Sequence, residues 1–325
     1  MGLQLFGGSA RGVAKKCYEV VFRKKYGAGH VESAIFDYRD SAIYQNFVLR
    51  TGSQDESEAV IRDIMGTSLM DEYTDVDVQA YKAVVLYMNG KYRGVYFIRE
   101  KVDEYFVANH YNVEATKSNT DIVRIDGTYK SGNKKKYNKL VNFINSHDMS
   151  RKENYEFVKT LINVENACDY WIGIIWSTNN DMVNCRVFAN PNIDGGRFHY
   201  IFYDLDCAYY WPTNVGGMTD WHYPTTIFRG LMQNSSFRKT FLERLSWNLK
   251  NTWSTKTVNA KLDELYNLLK TEMKRDRKYW GHNYDYWKQC VNELKTFAKQ
   301  RNKYIKSQAK AYFHLSDAEY KKYFG

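Results

Sequence analysis

The sequence is poor in the residues that build disulfide frameworks, zinc sites and flexible linkers. Its 325 residues include five cysteines and three prolines, and no two cysteines have a Cys-x-x-Cys spacing. The seven histidines are isolated, without a His-x-x-x-His pattern. These absences argue against a disulfide scaffold and a structural zinc site, and they leave oxygen atoms as the ligands for any bound metal ion.

Long apolar runs are absent as well. The longest, residues 171–176, is far shorter than the roughly 20 residues that a membrane-spanning helix needs. Residues 1–6 lead directly into a glycine cluster, without the pattern of a secretory signal. We therefore expect no membrane span and no signal peptide in this sequence. A composition of 44% hydrophobic and 26% charged residues is typical of a globular protein with a sizeable core.

The chain is basic, with 47 Lys and Arg against 37 Asp and Glu. Together with 28 Tyr, 17 Phe and 8 Trp, this charge is compatible with nucleic acid, a phosphorylated cofactor or an acidic protein as partner. No stretch has the five or six consecutive like charges of a nucleic-acid-binding arm. We therefore favour a solvated basic helical face and expect no nucleic-acid partner.

The first third of the chain has the pattern of an antiparallel sheet with one helix. Strands are predicted over residues 17–22 and 46–50, and a hairpin over 83–88 and 92–98 with Asn89-Gly90 as its tight turn. Apolar residues at helical spacing predict a helix over 56–70.

The remainder has mainly helical patterns around one further hairpin. A helix is predicted over residues 155–176, followed by a hairpin of 185–188 and 198–203, and then by amphipathic helices over 258–273 and 291–305. The sequence thus predicts an α+β fold in a single domain, with a β-rich N-terminal lobe (about 1–105) and a mostly helical C-terminal lobe (106–325).

Glycines near the amino terminus form the first candidate site, Gly7-Gly8-Ser9-Ala10-Arg11-Gly12 followed by Lys15 and Lys16. Glycines let backbone N–H groups approach an anion, and Ser9, Arg11 and a lysine could add donors. The alternative is an ordinary glycine loop, because the segment matches neither of the common phosphate-binding patterns.

Two acidic segments follow regular elements. Asn179-Asn180-Asp181 with Asn184 could position a hydroxyl group and share a divalent ion, or could form an ordinary polar turn. Asp204-Leu205-Asp206 ends a hydrophobic strand, where carboxylates are costly unless they are paired or metal-bound. We favour Mg²⁺ or Mn²⁺ there over a strand-end cap paired with Arg or Lys.

Glu100 completes the set, because a strand end could bring it to a phosphate-binding lysine across the sheet. An exposed surface ion pair is the simpler interpretation of Glu100 alone. Taken together, a lysine, a glutamate, an aspartate with a nearby asparagine, and a strand-ending aspartate follow the order of parts in protein kinases, although the usual kinase motifs are missing.

The sequence resembles the CotH kinase-like family of spore-coat proteins over nearly its whole length. The matching segments are Gly8–Gly12 with Lys15-Lys16-Cys17-Tyr18, Val48-Leu49-Arg50 with Arg62-Asp63, Asn89–Lys101, Asn179–Asp181 with Asn184, Tyr203–Asp206, and Phe237–Phe241 with Arg244. The resemblance implies an atypical protein kinase that transfers phosphate from ATP to Ser or Thr of a spore-coat or surface protein with Mg²⁺ or Mn²⁺. It also implies an extracellular, cell-surface or spore-coat location.

The resemblance also implies roles for individual residues. Lys15, or less favourably Lys16, would contact the nucleotide phosphates with Ser9 and Arg11 nearby, and Glu100 would orient the lysine. Asp181 would be the catalytic aspartate. Asp204, Asp206 and Asn184 would hold the metal ion.

Two departures from the family pattern support an alternative function. The spacing from Asp181 to Asn184 is short, and Tyr209-Tyr210-Trp211 stands where the family often has glycine. The alternative is a pseudokinase, or a non-catalytic surface or coat-assembly module that uses the same fold to bind a partner.

Overall fold

The computed structural model describes residues 1–179, 181, 184–214 and 226–325. The described residues form an α+β fold with a sheet-rich N-terminal region and a helical C-terminal region, as predicted. The strands of the first half are β1 (Gly2–Leu5), β2 (Tyr18–Val21), β3 (Val31–Glu32), β4 (Ile43–Tyr44), β5 (Asn46–Arg50), β6 (Asp77–Val78), β7 (Tyr81–Met88) and β8 (Lys91–Arg99).

The first sheet is antiparallel and has the order β1-β2-β5-β8-β7. β3 and β4 pair separately. The β7–β8 hairpin turns at Asn89 and Gly90, whose φ angles are 50° and 72°. Positive φ at both central positions is the geometry of the tight turn that Asn-Gly favours, and the predicted hairpin is confirmed.

A second five-stranded sheet follows, in the order β10-β9-β11-β12-β6. Its other strands are β9 (Asp121–Arg124), β10 (Tyr129–Ser131), β11 (Arg186–Ala189) and β12 (His199–Phe202). The predicted second hairpin is β11–β12, and β6 pairs with β12 in parallel. β6, β9 and β10, which have two to four residues each, were not predicted from the sequence.

The helices surround these sheets. They are α1 (Arg62–Tyr73), α2 (Glu104–Tyr111), α3 (Lys135–Ser146), α4 (Lys152–Lys159), α5 (Val164–Ser177), α6 (Thr226–Met232), α7 (Ser235–Lys250), α8 (Thr255–Trp280), α9 (Tyr284–Tyr312) and α10 (Asp317–Phe324). No helix in the described ranges has the length and apolar content needed to cross a membrane.

The predicted helix over 155–176 is two helices, α4 and α5. Ile162 forms a β-bridge with Phe198, and the backbone N–H of Asn163 donates to the Phe198 carbonyl at 2.9 Å. The Asn163 side chain then accepts a bond from Asn166 N–H at 3.0 Å and begins α5. The prediction of one continuous helix was wrong because apolar residues at helical spacing continue across this break.

The core lies around α5, which is buried along almost its whole length between β12 and α7. Helix α8 buries an apolar stripe that includes Leu262, Leu265, Leu269 and Met273, and it packs across β8 of the first sheet. Helix α8 therefore covers one face of the first sheet. A cleft remains between the first and the second sheet.

Candidate active-site cleft

A cleft of about 780 Å³ opens between the two sheets. The first sheet and its connections contribute Gly7, Gly8, Glu19, Arg50 and Lys101 to its walls. The second sheet and its connections contribute Arg124, Lys130, Asp181, Asn184, Arg186, Tyr203, Asp204 and Asp206. The cleft therefore brings together Asp181, Asp204 and Asp206, three of the acidic residues selected from the sequence, and it adds several cations.

Asp204 lies two residues beyond β12, where the chain turns with a φ of 68°. Aspartate is among the few residues besides glycine that adopt this left-handed conformation readily. Its side-chain oxygens accept hydrogen bonds from Arg50 and from the amide of Asn184. Asp204 and Asn184, which are 20 residues apart in the sequence, are thus in direct contact in the cleft.

The backbone at Asp204 is held in place by hydrogen bonds to the side chain of Asp63 of α1. One Asp63 oxygen accepts the backbone N–H groups of Asp204 and Leu205 at 2.8 and 3.1 Å, and the other pairs with buried Arg99 at 2.5 Å. These contacts hold the pKa of Asp63 below its ordinary value, since Arg99 and Arg50 outweigh the effect of burial. The Arg62-Asp63 pair stood out only through the family resemblance, which gave it no role.

Asp206 lies beside Asp204 and is shielded from water. Its Oδ2 accepts a hydrogen bond from the Gln54 backbone N–H and one from Arg50, both at 3.2 Å. Burial, with Asp204 and Asp63 nearby, raises the pKa of Asp206 to about 6 despite the opposing charge of Arg50. The two aspartates therefore repel each other, and Arg50 is the cation that holds them together.

Asp181 also lines the cleft, where it is half-buried. Its backbone N–H donates to the Asn179 side chain at 3.1 Å, and the amide of Asn179 donates to the Asp204 carbonyl at 3.4 Å. Asn179 thus links the two acidic segments. Asn180 of the same motif lies outside the described residues.

An ion pair on the first-sheet wall was missed from the sequence. Lys101, just beyond β8, contacts Glu19 of β2 at 2.6 Å and Asp103 at 3.5 Å, and Gln4 donates to the other Glu19 oxygen at 2.8 Å. The pKa of Glu19 lies below its ordinary value, because the bonds from Lys101 and Gln4 outweigh its burial. The sequence signal for this pair was Glu19, a charged residue inside the otherwise apolar predicted strand 17–22.

The structure does not bring Lys15 and Glu100 together. Lys15 is fully buried and pairs at 2.5 Å with Asp276 of α8, which also accepts the Val95 backbone N–H at 2.7 Å. Lys15 lies there because α8 covers the face of the first sheet that Lys15 approaches. It is not among the residues that line the cleft.

Glu100 is buried in a different network. Its Oε2 accepts the Ala80 backbone N–H at 2.8 Å and contacts Nε2 of His110 at 2.9 Å. The pKa of Glu100 is lowered, since His110 and Arg39 outweigh burial. The neighbouring Lys101, rather than Glu100, faces the cleft.

The glycine segment does reach the cleft. Gly7, Gly8, Ala10 and Arg11 line it, and the φ of Gly7 is 102°. Lys16 is turned aside, and its ammonium group donates to the Arg11 carbonyl at 2.6 Å. The side chain of Ser9 lies outside the described part of the structure.

Comparison with protein-family profiles matches the CotH kinase protein family over residues 3–305. The chain belongs to the CotH kinase protein family. A search of curated proteins gave no match. Membership in this family indicates a kinase-like or spore-coat protein.

A divalent cation fits the donor chemistry of Asp204, Asp206 and Asn184. Mg²⁺ uses one or two carboxylates and completes its shell with water and substrate phosphate oxygens. No group of three or more His, Cys, Asp or Glu side chains is arranged as a metal site in the described ranges. A cation held here would therefore depend on water and phosphate oxygens for part of its shell.

Proposed function

We propose that the chain is an ATP-dependent protein kinase that transfers the γ-phosphate to Ser or Thr of a spore-coat or surface protein. The observation that carries this proposal is the placement of two sets of groups in one cleft. Asp204, Asp206 and Asn184 lie on one side, and the Lys101–Glu19 ion pair lies on the other. Phosphoryl transfer relies on positioning and charge neutralisation by such groups.

Each group has a definite part in this proposal. Asp204 and Asp206, with Asn184, hold Mg²⁺ or Mn²⁺, which would neutralise charge on the phosphate oxygens. Lys101, oriented by Glu19, binds phosphate. Lys15 cannot do so, because it is buried and paired with Asp276. Asp181 accepts the proton of the acceptor hydroxyl.

The test compares Asp204→Asn with wild type in phosphate transfer from ATP to a protein acceptor, including the chain itself. Asparagine keeps the size of the side chain and tolerates the left-handed backbone. We expect transfer to fall at least about a hundredfold, because the carboxylate would hold the metal ion that neutralises charge on the transferring phosphate. Asp37→Asn is the matched control, since Asp37 is an exposed partner of Lys82 outside the cleft.

Thermal unfolding with ATP and Mg²⁺ or Mn²⁺ gives an independent measurement of binding. Ligand at a hundred times its dissociation constant adds about 2.7 kcal/mol to stability. We expect a metal-dependent shift in wild type that Asp204→Asn loses and Asp37→Asn keeps. Transfer by Asp204→Asn at the wild-type rate would refute the assignment.

A binding module without catalysis is the second candidate, and Arg50 favours it. The Arg50 guanidinium contacts both Asp204 and Asp206, so a protein cation already compensates the carboxylates. This candidate predicts no phosphate transfer by wild type with any divalent metal, and unchanged partner binding in Asp204→Asn.

A further inference from the structure

Two cations on the second-sheet side of the cleft have no carboxylate partner among the described residues. Lys130 of β10 donates to the Val102 carbonyl at 2.9 Å. Arg186 is the first residue of β11, and its guanidinium lies 5.7 Å from the centre of the Tyr203 ring. The Nε atom of Arg186 is buried and has no hydrogen-bond partner among the described residues. We call Lys130 and Arg186 the basic wall.

Three other cations that line the cleft are paired with carboxylates. Arg50 contacts Asp204 and Asp206, Lys101 contacts Glu19, and Arg124 contacts Asp126 at 3.2 Å. The basic wall, with Lys130 exposed and Arg186 half-buried, is thus a local excess of positive charge at the cleft.

The register of the strands adds to the repulsion between these positive charges. In the antiparallel β9–β11 pair, Arg186 lies directly opposite Arg124, and like charges in directly opposed positions destabilise a sheet. Burial of the ammonium group, with Arg186 and Lys101 nearby, lowers the pKa of Lys130 to about 8. An anion bound between these side chains would relieve the repulsion.

The position of the basic wall indicates that the anion is a phosphate group. Lys130 is bonded to Val102, the residue after Lys101, and Arg186 is two residues from Asn184. The wall therefore joins the phosphate-binding lysine to the proposed metal site. Arginine also presents paired N–H groups that match two phosphate oxygens.

We infer that Lys130 and Arg186 bind the phosphate chain of the nucleotide along the second-sheet side of the cleft. This inference rests on the proposed function for the identity of the nucleotide. It adds two phosphate-binding residues that neither the sequence patterns nor the family resemblance singled out.

The test uses Lys130→Met, Arg186→Met and the double variant in calorimetric titrations without divalent metal. The probes are inorganic tripolyphosphate, ATP, ADP and AMP. We expect each single variant to lose about tenfold or more in affinity for tripolyphosphate and ATP, as for a charge-assisted hydrogen bond. The loss should be smaller for AMP, which carries one phosphate group, and Lys130→Arg should restore binding.

Lys82→Met and Arg151→Met are matched controls, because both residues are exposed and pair with carboxylates outside the cleft. Circular dichroism establishes that each variant is folded. Wild-type affinity for tripolyphosphate and ATP in the folded double variant would overturn the inference. So would unchanged ATP affinity with a raised KM for the protein acceptor, which would assign the wall to the acceptor.

The inference and the proposed function can fail separately. Tripolyphosphate binding that depends on the basic wall, in a chain without phosphate transfer, would support the inference and refute the kinase. Phosphate transfer by wild type, with full ATP affinity in the double variant, would support the kinase and refute the inference.

Discussion

The ion-pair partners of Lys15 and Lys101 distinguish a structural lysine from one that faces the cleft. Lys15 is fully buried against Asp276, whereas Lys101 contacts Glu19 at the cleft wall. We expect Lys101→Met to lose most ATP affinity. Lys15→Met should instead lower the free energy of unfolding by about 3 kcal/mol, because it leaves a buried carboxylate without its main partner.

Urea denaturation and ATP titration of both variants check this assignment. Asp276 would keep Arg277 and the Val95 N–H as partners in Lys15→Met, so the variant should still fold. Loss of ATP binding in folded Lys15→Met, with normal binding in Lys101→Met, would return the phosphate-binding role to Lys15.

The pH dependence of anion binding is a second prediction for single residues. The pKa of Lys130 is lowered to about 8 by burial, Arg186 and Lys101, against the opposing effect of Asp103 and Glu19. An anion binds the protonated ammonium group, so tripolyphosphate affinity should be highest below about pH 8 and fall above it. Lys130→Arg should show little change in calorimetry from pH 7 to about pH 9.5, because arginine stays charged. An equal decline in both proteins would exclude Lys130 as the titrating group.

Individual acidic residues were easier to find in the sequence than their partners. Asp204 and Asp206 stood out because carboxylates at the end of an apolar strand need a compensating interaction. The Lys101–Glu19 pair could not be predicted, because it joins residues 82 positions apart and depends on the strand order β2-β5-β8. Sequence periodicity indicates strands but does not give their order.

At the scale of elements, Arg301 of α9 connects two segments that lead into the cleft. This buried guanidinium donates to the carbonyls of Ile175 and Trp176 at the end of α5, at 2.6 and 3.0 Å, and to those of Pro212 and Asn214, both at 2.8 Å. Burial lowers the pKa of Arg301 to about 9. Arg301 therefore fixes the end of α5, from which the chain continues to Asn179 and Asp181.

We expect Arg301→Met to lower the free energy of unfolding by about 3 kcal/mol or more, because several buried carbonyls lose their donor. Arg301→Lys should recover part of this loss. If Arg301 positions Asp181, phosphate transfer by Arg301→Lys should show a reduced kcat with nearly unchanged KM for ATP. Equal stability of wild type and Arg301→Met in urea would contradict this role.

Turn chemistry at residues 89–90 predicted its element correctly, and helical periodicity predicted α8 and α9 but not the break within residues 155–176. Asn89-Gly90 specified its hairpin because few other residues adopt two positive φ angles. The continuous helix predicted over 155–176 failed because a long-range contact, the Ile162–Phe198 bridge, interrupts it. Only tertiary structure places Phe198 beside that position.

At the scale of the whole molecule, a buried ionic network connects the two sheets. His110 of α2 contacts Glu100, just after β8, at 2.9 Å and Asp77 of β6 at 3.3 Å. Arg39 approaches the same Glu100 oxygen at 4.0 Å, and Tyr111 donates to Asp77 at 2.9 Å. The division predicted near residue 105 did not anticipate this link, because it assigned no strand to residues 77–78.

This network should make the stability of the molecule depend on pH. Although burial alone would lower it, the carboxylates of Glu100 and Asp77 raise the pKa of His110 to about 9, from 6.5. Because the folded-state pKa lies above the unfolded one, the stabilisation is complete below about pH 6.5 and is lost as the pH rises towards 9. Its full size is about 3 kcal/mol.

Urea denaturation of wild type and His110→Gln across this range measures the effect. The free energy of unfolding of wild type should exceed that of the variant most at and below about pH 6.5, and the difference should shrink by up to about 3 kcal/mol towards pH 9 and above. Groups that titrate in both proteins cancel in this difference. A difference that stays constant with pH would show that His110 is uncharged between its two carboxylates, and that packing alone joins the two sheets at this point.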